Sequence, residues 1–373
     1  ESRTFDTAVD YNSTGLSYNS SGQLVPTPRT KFDYGMDIYS AYVSFGQKRN
    51  KWAYQIGLRL EDVTVKADTN AVRSFTDEYT QVYPSAFLTY TPSEKNQFQV
   101  SVSRRVDRPG LTQVNPIREW STPLISSFGN PSLVPQFTNS IETNYTHRFK
   151  KGSLTAGVFY RSIKDEINRA VYIDRLDLNK IILTFDNFDS TNAYGVEIST
   201  NYRPTKRRSI NGSFDMFSQT QRGLTESLTT TDPNPTDDDI VTQSLEVDNT
   251  AWNLRVNNMF TVNKKLTFQA FGFYRGANKT IQFDMEPMYF INLGARYSFA
   301  EGKGTFSLNF NDVFNTMRFA FDGSQPYPQT GQFNWESQNV FAGISYRFGS
   351  GKNRAMKRKR RDSNTKQGGG GIL

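Results

Sequence analysis

The chain has no cysteine and a single histidine, His147, among 373 residues. No disulfide framework and no cysteine-based metal or redox site can therefore be built, and a histidine-based zinc site lacks its ligands. No stretch approaches the roughly 20 consecutive apolar residues of a membrane helix, and mean hydropathy is −0.62. A basic start and an apolar core, the marks of a signal peptide, are both missing from Glu1-Ser2-Arg3-Thr4-Phe5. Charge of one sign is scarce outside one segment. After Ser350, eight Lys or Arg face one Asp and hold seven of the eight net positive charges. A near-neutral body with a basic tail is not the footprint of a nucleic-acid-binding fold, so no nucleic-acid partner is expected.

What is abundant is aromatic and alternating. The chain carries 29 Phe and 19 Tyr, and aromatics make up 14% of it. Trp52, Tyr54, Ile56, Leu58 and Leu60 share one face of a strand, while Ala53, Gln55, Gly57, Arg59 and Glu61 share the other. Tyr194, Val196, Ile198, Thr200 and Tyr202 oppose Gly195, Glu197, Ser199, Asn201 and Arg203 in the same way. Period two over about ten residues, apolar on one face and polar on the other, fits tilted membrane strands of 9–11 residues.

About fourteen such strands are expected, near 2–11, 32–47, 52–64, 82–91, 97–106, 136–148, 153–166, 181–202, 209–219, 250–262, 265–276, 288–299, 304–314 and 338–348, with an interruption near 186–192. Their connections sort into two kinds. Those at 48–51, 93–96, 150–152, 204–208, 263–265 and 301–304 are short and mostly basic; those at 107–134, 219–249 and 315–334 are long and mixed. Tight turns at one end and long loops at the other describe an all-β, antiparallel, up-and-down transmembrane β-barrel. Only a closed barrel can span lipid without helices, because every backbone N–H and C=O must be paired there. The predicted organisation is a barrel over 1–349 and a basic, disordered tail over 350–373. The predicted orientation is short basic turns and tail in the periplasm, long loops outside the cell.

By parity Arg59, Arg105, Arg161, Arg203, Arg255, Arg275, Arg296 and Arg347 point inward, against Glu61, Glu142 and Glu197. Such a lumen would attract anionic solutes or acidic groups of something filling the barrel; alternatively its arginines pair with inward glutamates and water. Catalysis finds no support. His147 sits at the end of a descending strand on the outward parity, where a general base has no ordered partners facing a substrate. The loop acids Asp232, Asp237, Asp238 and Asp239, with Asn234, lack the spacing of a calcium loop and read as a solvated acidic stretch. Neither an enzyme nor a cofactor is expected.

The last strand, Val340 to Phe348, places Tyr346 and Phe348 three and five residues after Gly343, like the C-terminal signal by which outer-membrane barrels are recognised for assembly; Phe341 departs from the polar residue usual there. Arg104-Arg105-Val106-Asp107-Arg108-Pro109, then Val114-Asn115-Pro116, then Gly129-Asn130-Pro131-Ser132-Leu133-Val134-Pro135 resemble a motif series of TonB-dependent-receptor-like outer-membrane β-barrel proteins. Asp312-Val313-Phe314-Asn315-Thr316, Pro84-Ser85-Ala86-Phe87 and Tyr346-Arg347-Phe348-Gly349 match further blocks of that family, in order. Asn-Pro and Gly-Asn-Pro also fix turns on their own account, so these motifs read as structural.

The resemblance implies a barrel of roughly 22 strands with a plug domain before it, so the present strands are expected to be the C-terminal part of a larger barrel. A self-closed fourteen-strand barrel is the other arrangement. It further implies active import of a scarce solute across the outer membrane of a Gram-negative cell. The alternative is a non-transporting barrel that serves as scaffold in an envelope complex, holding a surface lipoprotein or a periplasmic partner. Outer-membrane lipid is the expected partner in either case. Substrate-contacting side chains would lie in the long loops, as at Arg118, Glu119 and Trp120.

Overall fold

The structure, a computed structural model, describes residues 1–12, 14–18, 23–27, 29–230, 232 and 235–348. The expected tail over 350–373 and the loop residue Asn234 lie outside them. Among the described residues, fourteen strands follow one another as neighbours in a single antiparallel meander. They are β1 (Ser2–Tyr11), β2 (Thr30–Arg49), β3 (Trp52–Thr69), β4 (Val72–Ser93), β5 (Asn96–Asp107), β6 (Gln136–Phe149), β7 (Gly152–Ile173), β8 (Ile181–Thr205), β9 (Arg208–Leu228), β10 (Ile240–Thr261), β11 (Leu266–Arg275), β12 (Met288–Phe299), β13 (Gly304–Asn311) and β14 (Asn339–Tyr346). The fold is thus a large antiparallel, barrel-like all-β sheet.

The outer face of the lower half is apolar and uncovered. Val43 is 64% exposed, Phe45 61% and Ile56 57%, values at which a water-soluble sheet would aggregate. Two belts of rings bound this band. Below, Trp52 of β3, Tyr90 of β4, Phe98 of β5, Tyr145, His147 and Phe149 of β6 and Tyr202 of β8 touch in sequence, their centroids 4.3–6.4 Å apart. Above, Phe214, Trp252, Tyr274 and Tyr289 do the same, 4.2–6.3 Å apart. On β8 the lower-belt Tyr202 and the outward-facing Tyr194 are eight residues apart, about 26 Å along the strand. That is the height of the apolar band of an outer-membrane barrel, about 25 Å, before tilt shortens it. His147 belongs to the lower belt: its Nδ1 lies 2.9 Å from Asn96 Oδ1.

Above the band the two faces exchange character. On β3, Leu58 and Leu60 point out and Arg59 and Glu61 point in; two residues further, Asp62, Thr64 and Lys66 point out while Val63, Val65 and Ala67 are buried inward. On β2 the same happens, with Phe32, Tyr34, Met36 and Ile38 buried inside and Asp33 and Asp37 outside. The backbone alternation is unbroken; only the solvents on its two sides change. The lower outer face is apolar, as a lipid-facing wall requires, and above it the outside turns polar while the inside packs on a folded loop.

This exchange explains where the strands exceed their expected lengths. β3 and β4 continue to a two-residue turn, Asn70-Ala71, both at positive φ (51° and 62°), a mirror-image turn that suits the strand twist. The long connection expected at 219–249 is mostly strand, with β9 and β10 paired from Arg208/Phe260 up to Leu228/Ile240. β8 runs without a break through 186–192, where an interruption was expected, because Asp186 to Ser190 pair with Asn168 to Lys164.

Among the described residues the first and last strands of the sheet do not pair with each other. β1 pairs only with the upper half of β2, Thr30 to Tyr39, leaving the other edge of 41–49 bare across the lipid-facing band. β14 pairs only with β13.

If the lower outer face contacts lipid, Leu58→Arg costs about 2–4 kcal/mol. Lys66→Ala, on the same face of the same strand but above the band, stays within about 0.5 kcal/mol. Urea unfolding of the vesicle-reconstituted protein reads the difference; equal effects would refute the assigned boundary.

Candidate functional site

The inner face of the upper sheet and the segments folded onto it form the candidate site. Between β5 and β6 the chain makes a one-turn helix, Leu111–Val114, and a small hairpin, Glu119–Thr122 with Ile125–Ser127. The second arm of this hairpin joins β8 in parallel at Ile181 to Leu183. Val114, Ile117 and Leu133 are buried against Met36, Val63 and Ile167. Each fully buried side chain of this size contributes roughly 1.5–3 kcal/mol, which holds the segment against its ordering entropy.

The family-like motif residues lie in this segment and act on the backbone. Gly129 N–H donates to Asn115 O at 2.6 Å and Asn130 N–H to Gln113 O at 2.7 Å. A Cβ at Gly129 would sit 2.5 Å from Gln113 O, so no side chain fits there. Asn115 Oδ1 accepts from Ile117 N–H and Asn130 Oδ1 from Ser132 N–H, fixing the turns that hold Pro116 and Pro131. Pro109 and Pro135 are buried at the two ends of the segment.

Arg108, 1% exposed, anchors the segment from below. Its Nη2 lies 2.5 Å from Glu61 Oε2 and its Nε donates to the Tyr79 hydroxyl at 3.0 Å. Glu61, itself 4% exposed, also meets Arg59 Nε at 3.3 Å, and Arg59 stacks over the Tyr83 ring. Here β4 and β5 part: their pairing stops at Ser85/Ser103, and Tyr83 packs on Phe137 across the gap. Arg105 is exposed on the inner wall beside this point.

The second motif closes the last long loop. Asp312, 1% exposed, accepts from Thr316 N–H (2.9 Å) and Met317 N–H (3.0 Å) at the loop's start and from the Ser337 hydroxyl (2.6 Å) at its end. Burial alone would push its carboxyl up; the Ser337 and backbone hydrogen bonds outweigh that and hold it below the usual carboxylate range. Asn315 takes the positive φ (52°) that lets the turn return, and Phe314 is left 66% exposed. The loop carries the strands Arg318–Gly323 and Gln329–Asn334, which extend a small sheet from Asp284–Met285 and Asn278–Lys279.

Side-chain amides and carboxylates mimic strand pairing where these segments meet the inner wall. Gln282 accepts from Val171 N–H (2.6 Å) and returns a bond to Val171 O (2.8 Å). Glu226 accepts from Ile173 N–H at 3.0 Å and Gln221 from Ile281 N–H at 3.2 Å. The periodicity of the sequence gives no hint of these residues, since their partners lie 53 to 111 positions away.

Of the other inward arginines, Arg161 meets Glu142 (3.3 Å) and Glu197 (3.2 Å), whereas Arg203 and Arg296 are exposed. Arg255 lies over the Phe273 ring and Arg275 over Phe319, each 5.5 Å from the centroid. The family-motif segments and the arginines are therefore spread over the wall rather than gathered at one point. Arg118 binds Asp174 at 2.5 Å, Glu119 is exposed, and Asp237–Asp239 form a short exposed turn. Among the described residues no group of acids or His could hold a metal ion. At the other end, a Cβ on Gly343 would meet Ser307 Oγ at 3.1 Å, and Tyr346 and Phe348 lie ring to ring, 4.8 Å apart, with Phe348 87% exposed.

A barrel wall with a lipid-contacting outside and a loop-lined inside is matched by one family model over residues 1–346, described as the outer membrane protein beta-barrel family. The chain belongs to that family. No curated protein matches it. Among solved structures it is similar to the ferric-catecholate import receptor Fiu of E. coli K12 (15% identity, TM-score 0.56), covering 92% of this chain and 50% of the receptor. It also resembles the FrpB iron transporter of Neisseria meningitidis (14% identity, TM-score 0.52; 86% and 46% covered) and the copper transporter OprC (11%, 0.54; 85% and 50%). At such identities the likeness concerns the fold. The chain spans about half the length of these proteins. An outer-membrane setting follows from the family match.

Two outcomes test the anchors. Glu61→Ala leaves Arg108 buried without its carboxylate and should cost about 3–5 kcal/mol, with faster proteolysis in 111–135; adding Arg108→Met should restore part of the loss, because the stranded charge is gone. The Asp312 carboxylate, depressed when folded, stabilises loop closure fully above the ordinary Asp value of about 3.9. That contribution fades as pH falls from there toward the lower folded value. Protease protection of 313–336 should hold from pH 8 to 5 and drop below about 4, and Asp312→Asn should lack it at every pH.

Proposed function

We propose that this chain is the C-terminal part of a TonB-dependent importer that brings a scarce solute across the outer membrane. The observation that carries the reading is the bare edge of β2 at 41–49, within the lipid-facing band. Each unpaired backbone group there costs several kcal/mol in lipid, which supports a further strand pairing with it in the whole protein. Half-length coverage of import receptors agrees with further strands and a plug lying outside 1–373. In this reading residues 1–349 form the C-terminal part of a roughly 22-strand barrel. The long loops face the exterior, and the short basic turns and the 350–373 tail face the periplasm. The paired glutamates and arginines near β3, β6 and β8 hold the wall neutral, while the clamped loops 108–135 and 312–338 form a rigid mouth.

Growth of the parent organism on limiting nutrients tests the reading. Deleting the gene should produce a defect for one nutrient, and removing TonB should reproduce it without adding to it. A defect that persists unchanged when TonB is intact but its coupling segment on this protein is deleted supports import. A deletion strain with no nutrient defect, together with loss of a co-purifying surface lipoprotein, would replace import by the scaffold role.

A further inference from the structure

We propose that a groove on the outer wall, where β10, β11 and β12 meet the last loop, holds one acyl chain of a lipid from the surrounding bilayer. The proposal goes beyond the import reading and does not depend on it; it needs only the outer-membrane setting of the family. Register builds the groove. Val256 faces Gly272 across β10 and β11, and Gly272 faces Ile291 across β11 and β12, so the glycine leaves a notch between two branched side chains. Leu254 extends the notch along β10. Tyr274 and Tyr289, neighbours in the upper aromatic belt, bound it on the loop side. The groove encloses about 590 Å³, and its walls are almost wholly apolar.

Among the described residues nothing accounts for this glycine. Glycine weakens a strand interior, and where it persists it often lets a second body approach closely. Elsewhere on the wall that body is the chain itself: a Cβ at Gly195 would lie 2.4 Å from Met216 O, and one at Gly294 3.0 Å from Asn309 Oδ1. A Cβ at Gly272 would meet no described atom within 4 Å, and its φ is not positive, so no turn demands glycine there either.

Phe314 completes the groove. Val313 N–H donates to Ile291 O at 2.9 Å and the Thr316 hydroxyl to Tyr289 O at 2.9 Å, so the clamped turn is fastened to the strand that forms one wall. Phe314, between those two bonds, lines the groove and is still 66% exposed. Polarity selects the occupant. A peptide laid in walls without donors, acceptors or charges would leave its own backbone groups unpaired in lipid, whereas a hydrocarbon chain loses nothing. The groove is also continuous with the exposed apolar band, where Leu254 is 38% and Ile291 39% exposed. Lipid tails are as apolar as these walls, so moving a chain from the bilayer into the groove brings no hydrophobic gain. Retention comes instead from dispersion contacts with a fixed surface, which the stacked Trp252, Tyr274 and Tyr289 keep in shape.

The full-length protein is reconstituted into phosphatidylethanolamine vesicles whose acyl chains carry bromine, then returned to detergent and washed. Native mass spectrometry should show one retained phosphatidylethanolamine. Its bromine should quench the fluorescence of Trp252, the component that Trp252→Phe removes. Gly272→Leu fills the notch and should weaken retention about tenfold, with loss of the quenching. Phe314→Ala, which lies outside the strands and leaves the wall intact, should weaken it in the same direction. Val158→Leu, on the outer face of β7 away from the groove, should leave both readouts unchanged. Lipid retention indifferent to both Gly272→Leu and Phe314→Ala overturns the proposal. So does a washed protein that carries detergent only, or an adduct whose mass is that of a lipoprotein anchor rather than of the lipid supplied.

Discussion

Backbone hydrogen bonding in a medium without water governs this structure. A strand crossing lipid can leave no N–H or C=O unpaired, so its neighbours must match it residue for residue through the band. Thirteen consecutive antiparallel pairings join β1 to β14, the first of them covering only 30–39 of β2. Above the band the sheet behaves differently, and glutamines take over the role of strand partners.

The same constraint sets what each side chain must be. Below Leu60 the outside of β3 has to be apolar and the inside is free to be polar; above Glu61 the requirement reverses. The loop 108–135 exists as a folded body because the upper inner face supplies it with a hydrophobic floor, and Arg108 pins it there through Glu61. Asp312 does for the last loop what Arg108 does for the first, with one carboxylate gathering both ends. Neither motif gathers groups for chemistry. Each spends its polar atoms on holding its own loop, Asp312 on backbone N–H groups and Arg108 on Glu61 and Tyr79.

All fourteen strands were legible from the sequence because lipid on one side and water on the other impose a period of two that nothing else masks. Trp52 to Glu61 is the clearest case. The upper ends of β3, β4, β7, β9 and β10 were not legible, since residues such as Val63, Val65 and Ala67 have the alternation of a strand but the opposite polarity, and read as its end. Their reason for being apolar is a loop some fifty residues further on. The motif residues were visible only through likeness to a family; that Gly129 lies against Gln113, or that Arg108 finds Glu61, depends on contacts no periodicity encodes. The division of the lumen arginines into paired and unpaired was likewise hidden, because parity assigns a side and says nothing of the neighbour across it.

The exchange of faces between Leu60 and Val63 has an evolutionary corollary. Both halves of β3 ride on one continuous pleat, so adding or losing a single residue at that level would send Val63, Val65 and Ala67 outward and Asp62 and Lys66 into the loop floor, while everything below kept its place. Two residues would restore every side chain to its side. Length variation among descendants of this chain should therefore accumulate in even steps within the upper strands, or be absorbed by a bulge, and run freely only past the turn at Asn70.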